Sequence, residues 1–362
     1  MPLAVSFVFG GISSEYNTSV SSLTHIISSY LSMPRRDRSF SVKNMYHLSR
    51  DDGLVRTIPF HNDFTISELT AYLSDTSTLP GSTLSATFDA IERRKEYVVN
   101  LLLGQFGEDG GVQTIAALSG LKGTFGDPQV ASLTMNKYAM SSFVSSILPT
   151  DIVRVPKTTL VRPRYVADAI QSAKLRHGQI VVKPNSLGSS LFTGLFDSIA
   201  ESEYDIRALL SAIFKYDSGA LLQEFIPGDD YSCGCIITSS DIILLPVIKI
   251  ETARDFFGYD EKSTDSLAER KVVGSHEDMS DKLKYITKSI ANSSDLCNIA
   301  RVDFKVTDQY EVWFLECNSI PSLTQNSLFV KMLHHHGKTA LDLISMLASK
   351  SSSFKRKPHL VE

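Results

Sequence analysis

Residues 3–9 form an almost unbroken apolar run that stops at Gly10-Gly11. A run of that length, closed by a tight turn, predicts a buried parallel strand. A polar turn follows, and apolar positions then recur with helical spacing from about Thr18 to Leu31. Strand, glycine turn and helix make a Rossmann-like opening whose helix N-terminus is open to a carboxylate or phosphate. A second apolar run, 97–103, ends in Gly104-Gln105-Phe106-Gly107-Glu108-Asp109-Gly110-Gly111, with a helical pattern over 112–118. The alternation predicts an α/β domain over residues 1–126. A full G-x-G-x-x-G fingerprint is missing, so a dinucleotide-dependent dehydrogenase has little support.

From Asp127 the texture changes. A helix carrying Lys137 leads through Pro149 and Pro156 to a strand at 179–184 and a small-residue loop, Asn185-Ser186-Leu187-Gly188-Ser189-Ser190. Another strand, 221–226, is broken by Pro227-Gly228. These breaks predict a central segment over 127–222, a C-terminal segment over 223–349 and a frayed polar tail over 350–362. Residues 254–275 are polar and aperiodic, and a loop of that length in a compact enzyme reads as a lid.

The most informative pattern is Ala300-Arg301-Val302-Asp303-Phe304-Lys305-Val306, then Glu311-Val312-Trp313-Phe314-Leu315-Glu316-Cys317-Asn318. Two alternating runs around a short polar connection predict an antiparallel hairpin. With 307–310 as the turn, odd positions of the first strand share a face with even positions of the second. Val302, Phe304, Val306, Trp313, Leu315 and Cys317 then form a core face. Arg301, Asp303, Lys305, Glu316 and Asn318 converge on the other. Two carboxylates and an amide are hard-oxygen ligands of the kind magnesium takes beside phosphate oxygens, and Arg301 could neutralise charge on a reacting oxygen. A solvated face with ordinary ion pairs would look similar.

Composition narrows the classes. Apolar residues make up 43% and charged residues 21% of the 362, with a net charge of -4. That balance argues against a general nucleic-acid binder. The N-terminus lacks a basic leader, and no apolar stretch is long enough to span a bilayer, so a cytoplasmic protein without a membrane partner is expected. Four cysteines, Cys233, Cys235, Cys297 and Cys317, make no disulfide framework and lack a second ligand pair for zinc; buried free thiols fit better. The run His334-His335-His336 lies on a helical segment where three successive side chains cannot face one metal. Trp313 is expected in the core.

Lys137 and Lys183 are isolated basic residues beside apolar sequence, suited to polyphosphate. Residues 186–190 offer backbone N–H groups and hydroxyls that can close over phosphates, though the loop could equally be a plain turn. Both lysines, the loop and the acidic face fall in one ordered series. That series resembles the D-alanine–D-alanine ligase family of the ATP-grasp superfamily over nearly the whole chain. Its residues are Phe9 to Glu15 with Ser19, Gly107 to Gly110 with Gln113, Asn136-Lys137, Val182 to Ser190 and Gln223 to Gly228. Arg301 to Phe304, Glu316 to Asn318, Pro321 and Ser327-Leu328 complete it.

The resemblance implies an N-terminal Rossmann-like domain followed by central and C-terminal ATP-grasp domains, with ATP between the last two. It assigns Lys137 and Lys183 to the phosphates, and Gln223, Glu224, Phe225 and Ile226 to adenine. Asp230 would meet the ribose. Asp303, Glu316 and Asn318 would hold two magnesium ions, or manganese, and Arg301 would stabilise the tetrahedral intermediate. Glu15 would hold the first amino acid's ammonium group, while Ser327 and Leu328 would receive the second's carboxylate. Ser189 and Lys262 would help close the site, and Ser190 would bind the nucleotide. It also implies a homodimer. In this chemistry a carboxylate takes the γ-phosphoryl group of ATP and an amine then displaces phosphate, which needs positioning and charge more than a protein nucleophile.

Three positions depart from the family pattern. Leu103 stands where a histidine is usual, Ser263 follows Lys262 where a tyrosine is common, and Ser322 follows Pro321 in place of glycine. All belong to the expected amino-acid surroundings. They point to partners other than two D-alanines, against simple divergence with retained specificity. The alternatives are an ATP-grasp ligase for other amino acids or a natural-product precursor, and a catalytically silent nucleotide-binding homologue.

Overall fold

The computed structural model describes residues 3–175, 178–252, 268–274 and 278–350. They form three sheets. The first has the order β4-β3-β2-β1-β5, from β1 (Leu3–Gly10), β2 (Phe40–Leu48), β3 (Val55–Pro59), β4 (Gly81–Ser82) and β5 (Tyr97–Asn100). β1 pairs in parallel with β2 and with β5, and is buried from Val5 to Gly10, which explains its lack of alternation. The predicted helix after it runs Tyr16–Ser32 and packs Leu23, Ile26 and Ile27 inward.

The second sheet is antiparallel, ordered β6-β9-β7-β8, from β6 (Thr158–Val161), β7 (Ile180–Pro184), β8 (Gly194–Phe196) and β9 (Ala220–Glu224). Helices Val166–Lys174 and Glu203–Ile213 bury Ile170, Ile206 and Leu210 against it. The third sheet is ordered β13-β12-β10-β14-β15, with β11 added to β10. Its strands are β10 (Asp229–Ile237), β11 (Ile242–Leu244), β12 (Ile248–Thr252), β13 (Ala268–Val272), β14 (Asn298–Val306) and β15 (Val312–Asn318).

The sheets divide the chain differently from the expected segments. β9 continues to Glu224, so the expected break after residue 222 falls inside a strand. Helices Pro128–Met135 and Lys137–Ile147 lie in the expected central segment, yet Met140 and Val144 share a core with Val302, Phe304 and Phe314 of the third sheet. Helices Leu328–His335 and Ala340–Lys350 in turn bury Phe329, Leu341 and Ile344 in a core that joins the first sheet to Ile236, Ile248 and Ile299 of the third. Apolar area is buried wherever a face is open, regardless of chain order.

The β14/β15 hairpin is present, with one correction. Arg301 faces Asn318 and Asp303 faces Glu316, but the register shifts beyond Asp303, so Phe304 pairs with Phe314 and Val306 with Val312. This bulge at Leu315 turns the rest of the strand over. Val312 and Phe314 therefore take the core positions expected for Trp313 and Leu315. Trp313 is half-buried under the Arg154 guanidinium, 5.6 Å from its ring centre. Cys233, Cys235 and Cys317 are buried free thiols and Cys297 is half-buried. His334, His335 and His336 are exposed. Among the described residues no helix is long and apolar enough to cross a membrane. The tail 351–362 and most of the expected lid, 254–267 and 275, lie outside the described residues.

Candidate functional site

A cavity of about 1160 Å³ opens between the three sheets. Every expected site residue within the described regions lines it; Lys262 and Ser263 lie outside those regions.

At one end the chain leaves β1 and the Ser13 hydroxyl donates to the Leu103 carbonyl (2.6 Å) while accepting from the Glu15 N–H (3.1 Å). The turn sets Glu15 facing the 185–193 loop, where the Ser189 hydroxyl donates to Glu15 Oε1 (2.7 Å). Oε2 is buried and accepts no hydrogen bond among the described residues. Two glycines make room for this carboxylate. A Cβ on Gly188 would collide with it, and one on Gly104, at φ +68°, would lie 3.1 Å from Oε2. Ser189 and Ser190 themselves hold left-handed backbone angles, φ 55° and 53°, a conformation that strains residues with a Cβ.

The hairpin forms another wall. Arg301 grips Asp303 with two parallel bonds, Nε to Oδ1 at 2.9 Å and Nη2 to Oδ2 at 2.8 Å. Ser232 and Asn318 donate to the same carboxylate at 2.6 and 3.2 Å. Burial opposes the guanidinium charge, but Asp303, Glu316 and Glu108 outweigh it and hold Arg301 above its ordinary value. Lys137 opens helix Lys137–Ile147, capped by Asn136; its ammonium donates to the Leu187 carbonyl (2.7 Å) and stands 3.7 Å from Glu316. Lys183 projects from β7 into the same space.

Residues 223–226 run from β9 of the second sheet toward β10 of the third. Gln223 donates to Thr158 (2.9 Å), Glu224 accepts from the Lys157 N–H (2.6 Å) and the Phe225 N–H donates to Gln179 (3.1 Å). Ile226 lines the cavity beside them. Asp230, expected to face a ribose, is paired with Lys305 at 3.0 Å. At the far end Ser322 bonds within its own loop to Thr324, and Ser327 caps helix Leu328–His335 by accepting from the Val330 N–H (3.3 Å), with Leu328 next to it.

Ser232 was not singled out from sequence, and no role was assigned to Lys305 or Glu108. Ser232 and Lys305 face Asp303 and Asp230 across the β10/β14 ladder, a pairing no local pattern reveals. Glu108 lies in the glycine-rich run and accepts from the Gly104 N–H (2.9 Å). Burial first, and then Glu15 and Glu316, push its carboxyl up to about 8. Among the described residues no cluster of three or more His, Cys, Asp or Glu side chains is arranged to hold a metal; the hairpin donor set is two carboxylates and the Asn318 amide.

Comparison with solved structures shows the fold. The chain has the mixed α/β architecture of solved D-alanine–D-alanine ligases. It superposes on a D-alanine–D-alanine ligase from Coxiella burnetii with a TM-score of 0.75, at 20% identity, over 96% of this chain and 93% of that one. The VanG D-Ala:D-Ser ligase from Enterococcus faecalis gives 0.74 at 21% identity, over 97% and 98%. The family described as D-ala D-ala ligase C-terminus matches residues 155–349. A D-alanine–D-alanine ligase A from Clostridium perfringens (strain 13 / Type A) is 30% identical over 275 residues, 74% of this chain and 85% of the relative. The chain belongs to the D-alanine–D-alanine ligase family.

Proposed function

We propose that this protein is an ATP-dependent carboxylate–amine ligase that joins two amino acids into a dipeptide. The observation that carries this reading is convergence. Glu15, Lys137, Lys183, Arg301, Asp303 and Glu316, scattered over most of the chain, line one cavity, and Glu15 there keeps a buried carboxylate oxygen without a donor. An ammonium group supplies such a donor, and a buried anion gains most from a charged one.

The first amino acid binds with its ammonium on Glu15 and its carboxylate toward the hairpin. Lys137 and Lys183 hold the ATP phosphates, the 186–190 loop with Ser189 and Ser190 covers them, and residues 223–226 with Asp230 receive the nucleoside. A carboxylate oxygen bonds to the γ-phosphorus while the bond to the bridging oxygen breaks, releasing ADP. The second amino acid, its carboxylate at Ser327 and Leu328, attacks the acyl carbon through its amine. Phosphate then departs with the C–O bond and the amine gives up a proton. Arg301 lowers the energy of the anionic intermediate.

Asp303, Glu316 and Asn318 supply the oxygen donors that magnesium prefers when phosphates complete its shell. They fit two magnesium ions or manganese, which would neutralise phosphate charge. A homodimer and a cytoplasmic location rest on family resemblance.

A second reading, a ligase for amino acids other than two D-alanines, is favoured because Leu103 and Ser322, far apart in sequence, line one wall. The test is magnesium-dependent phosphate release from ATP over a panel of D- and L-amino acids and hydroxy acids, with mass spectrometry of products. A D-alanyl-D-alanine product supports a wall-precursor ligase, and another amide or ester supports the second reading. ATP binding without turnover on any substrate would favour a silent nucleotide-binding homologue.

A further inference from the structure

Behind the main cavity lies a second, smaller one of about 20 Å³, roughly the room of a methyl group or one water. Val99, Leu101, Ile299, Leu343 and Leu347 are among its mostly apolar walls, which Ser22, Asn100 and Thr124 complete with Ser322. Among the described residues, four line both spaces: Leu103, Ile320, Pro321 and Ser322. Two positions that depart from the family pattern thus form a single partition with a void behind it.

Leu103 also adjoins Glu15. Its carbonyl accepts from Ser13, two residues before Glu15, and a Cβ on the following Gly104 would lie 3.1 Å from Glu15 Oε2. The partition therefore borders the place where Glu15 receives an ammonium group. Its surface is apolar: Leu103 carries no polar atom on its side chain, and the Ser322 hydroxyl donates to Thr324 Oγ1 and accepts from the Thr324 N–H, both at 3.3 Å.

We propose that Leu103 and Ser322 form the side-chain wall of the first amino acid's subsite, and that this wall selects an unbranched apolar side chain one methylene longer than alanine's. Leu103 moves back into the void to admit the extra methylene. A substrate hydroxyl finds no donor there, because the Ser322 hydroxyl proton is already given to Thr324 Oγ1. This inference rests on the ligase reading and names the substrate class of its first subsite.

Competition reads it directly. The full chain is given ATP, magnesium and equal concentrations of alanine, 2-aminobutyrate and serine, in D and in L form. Tandem mass spectrometry then identifies the N-terminal residue of the dipeptide, which is the phosphorylated partner. The expected result is 2-aminobutyrate over alanine by about four-fold, the worth of one buried methylene, with serine below alanine. Val99→Ile fills the void from behind, and brings the ratio to about one while alanine kcat/KM stays unchanged. Leu103→Ala shifts preference further, toward norvaline, and serves if Val99→Ile fails to fold.

Alanine preferred at the N-terminal position overturns the proposal, as does a preference that survives Val99→Ile. Selection confined to the C-terminal residue assigns the wall to the other subsite and overturns it too. Absence of any dipeptide, with ATP bound, is a different result: it removes the ligase reading and this inference together.

Discussion

At the glycine-rich end of the cavity, Glu15 holds one oxygen to Ser189 and, among the described residues, keeps the other without a donor. At the hairpin end both oxygens of Asp303 are occupied, by Arg301, Ser232 and Asn318. One end carries an uncompensated acceptor and the other a neutralised cluster. An uncompensated buried oxygen gains by accepting a charged donor, and so belongs to recognition. A cluster whose charges already cancel can exchange partners as phosphates arrive, without first stripping water from an isolated ion. The contrast accounts for why both ends need acids while only one needs glycine around it.

The hardest way to break the contrast is Asp303→Ala. It leaves Arg301 without its main partner, and we expect kcat for phosphate release to fall by roughly a thousand-fold. A melt should show a loss of stability of up to about 3 kcal/mol. Near-normal turnover would remove the hairpin from the chemistry. Glu15→Gln keeps a hydrogen-bonding group for Ser189 and removes the charge; the first amino acid's KM should rise about 10–100-fold, the worth of a charged hydrogen bond. An unchanged KM in steady-state assays would place the ammonium elsewhere.

Glu108, between the two ends, sharpens the comparison through pH. Its carboxyl is pushed up to about 8 from an ordinary 4.5, chiefly by burial and then by Glu15. The folded protein thus keeps a proton that the unfolded chain releases, and stability is lost as pH rises from about 4.5 through about 8. Thermal melts of the ligand-free protein across that window should fall less steeply for Glu108→Gln than for the parent. A steeper fall would reverse the sign. The smallest effect belongs to Trp313→Phe, which weakens a half-exposed contact with Arg154. It should cost less than about 1 kcal/mol by chemical denaturation, whereas a core tryptophan would cost several times more.

Much of the site was legible because its chemistry is local. Asp303 and Glu316 converge through strand alternation, and Lys137 and Lys183 stand out as single charges beside apolar runs. Ser232 and Lys305 were not legible as partners of Asp303 and Asp230, since cross-strand neighbours distant in sequence leave no periodic trace. The bulge at Leu315 hid for another reason. Strict alternation places Trp313 inside, and one extra residue in the strand reverses every position beyond it.

By itself the sequence determined the elements and the order of the charged and glycine-rich motifs, because hydrophobic period and turn chemistry act over a few residues. Tertiary structure decided which helix covers which sheet, as with Met140 and Val144 joining the third sheet and Phe329 and Ile344 a core shared by the first and third. It also decided that Leu103 and Ser322 share one wall and that Ser189 meets Glu15. Those outcomes depend on which faces meet when apolar area leaves water, and that is settled between segments rather than within them.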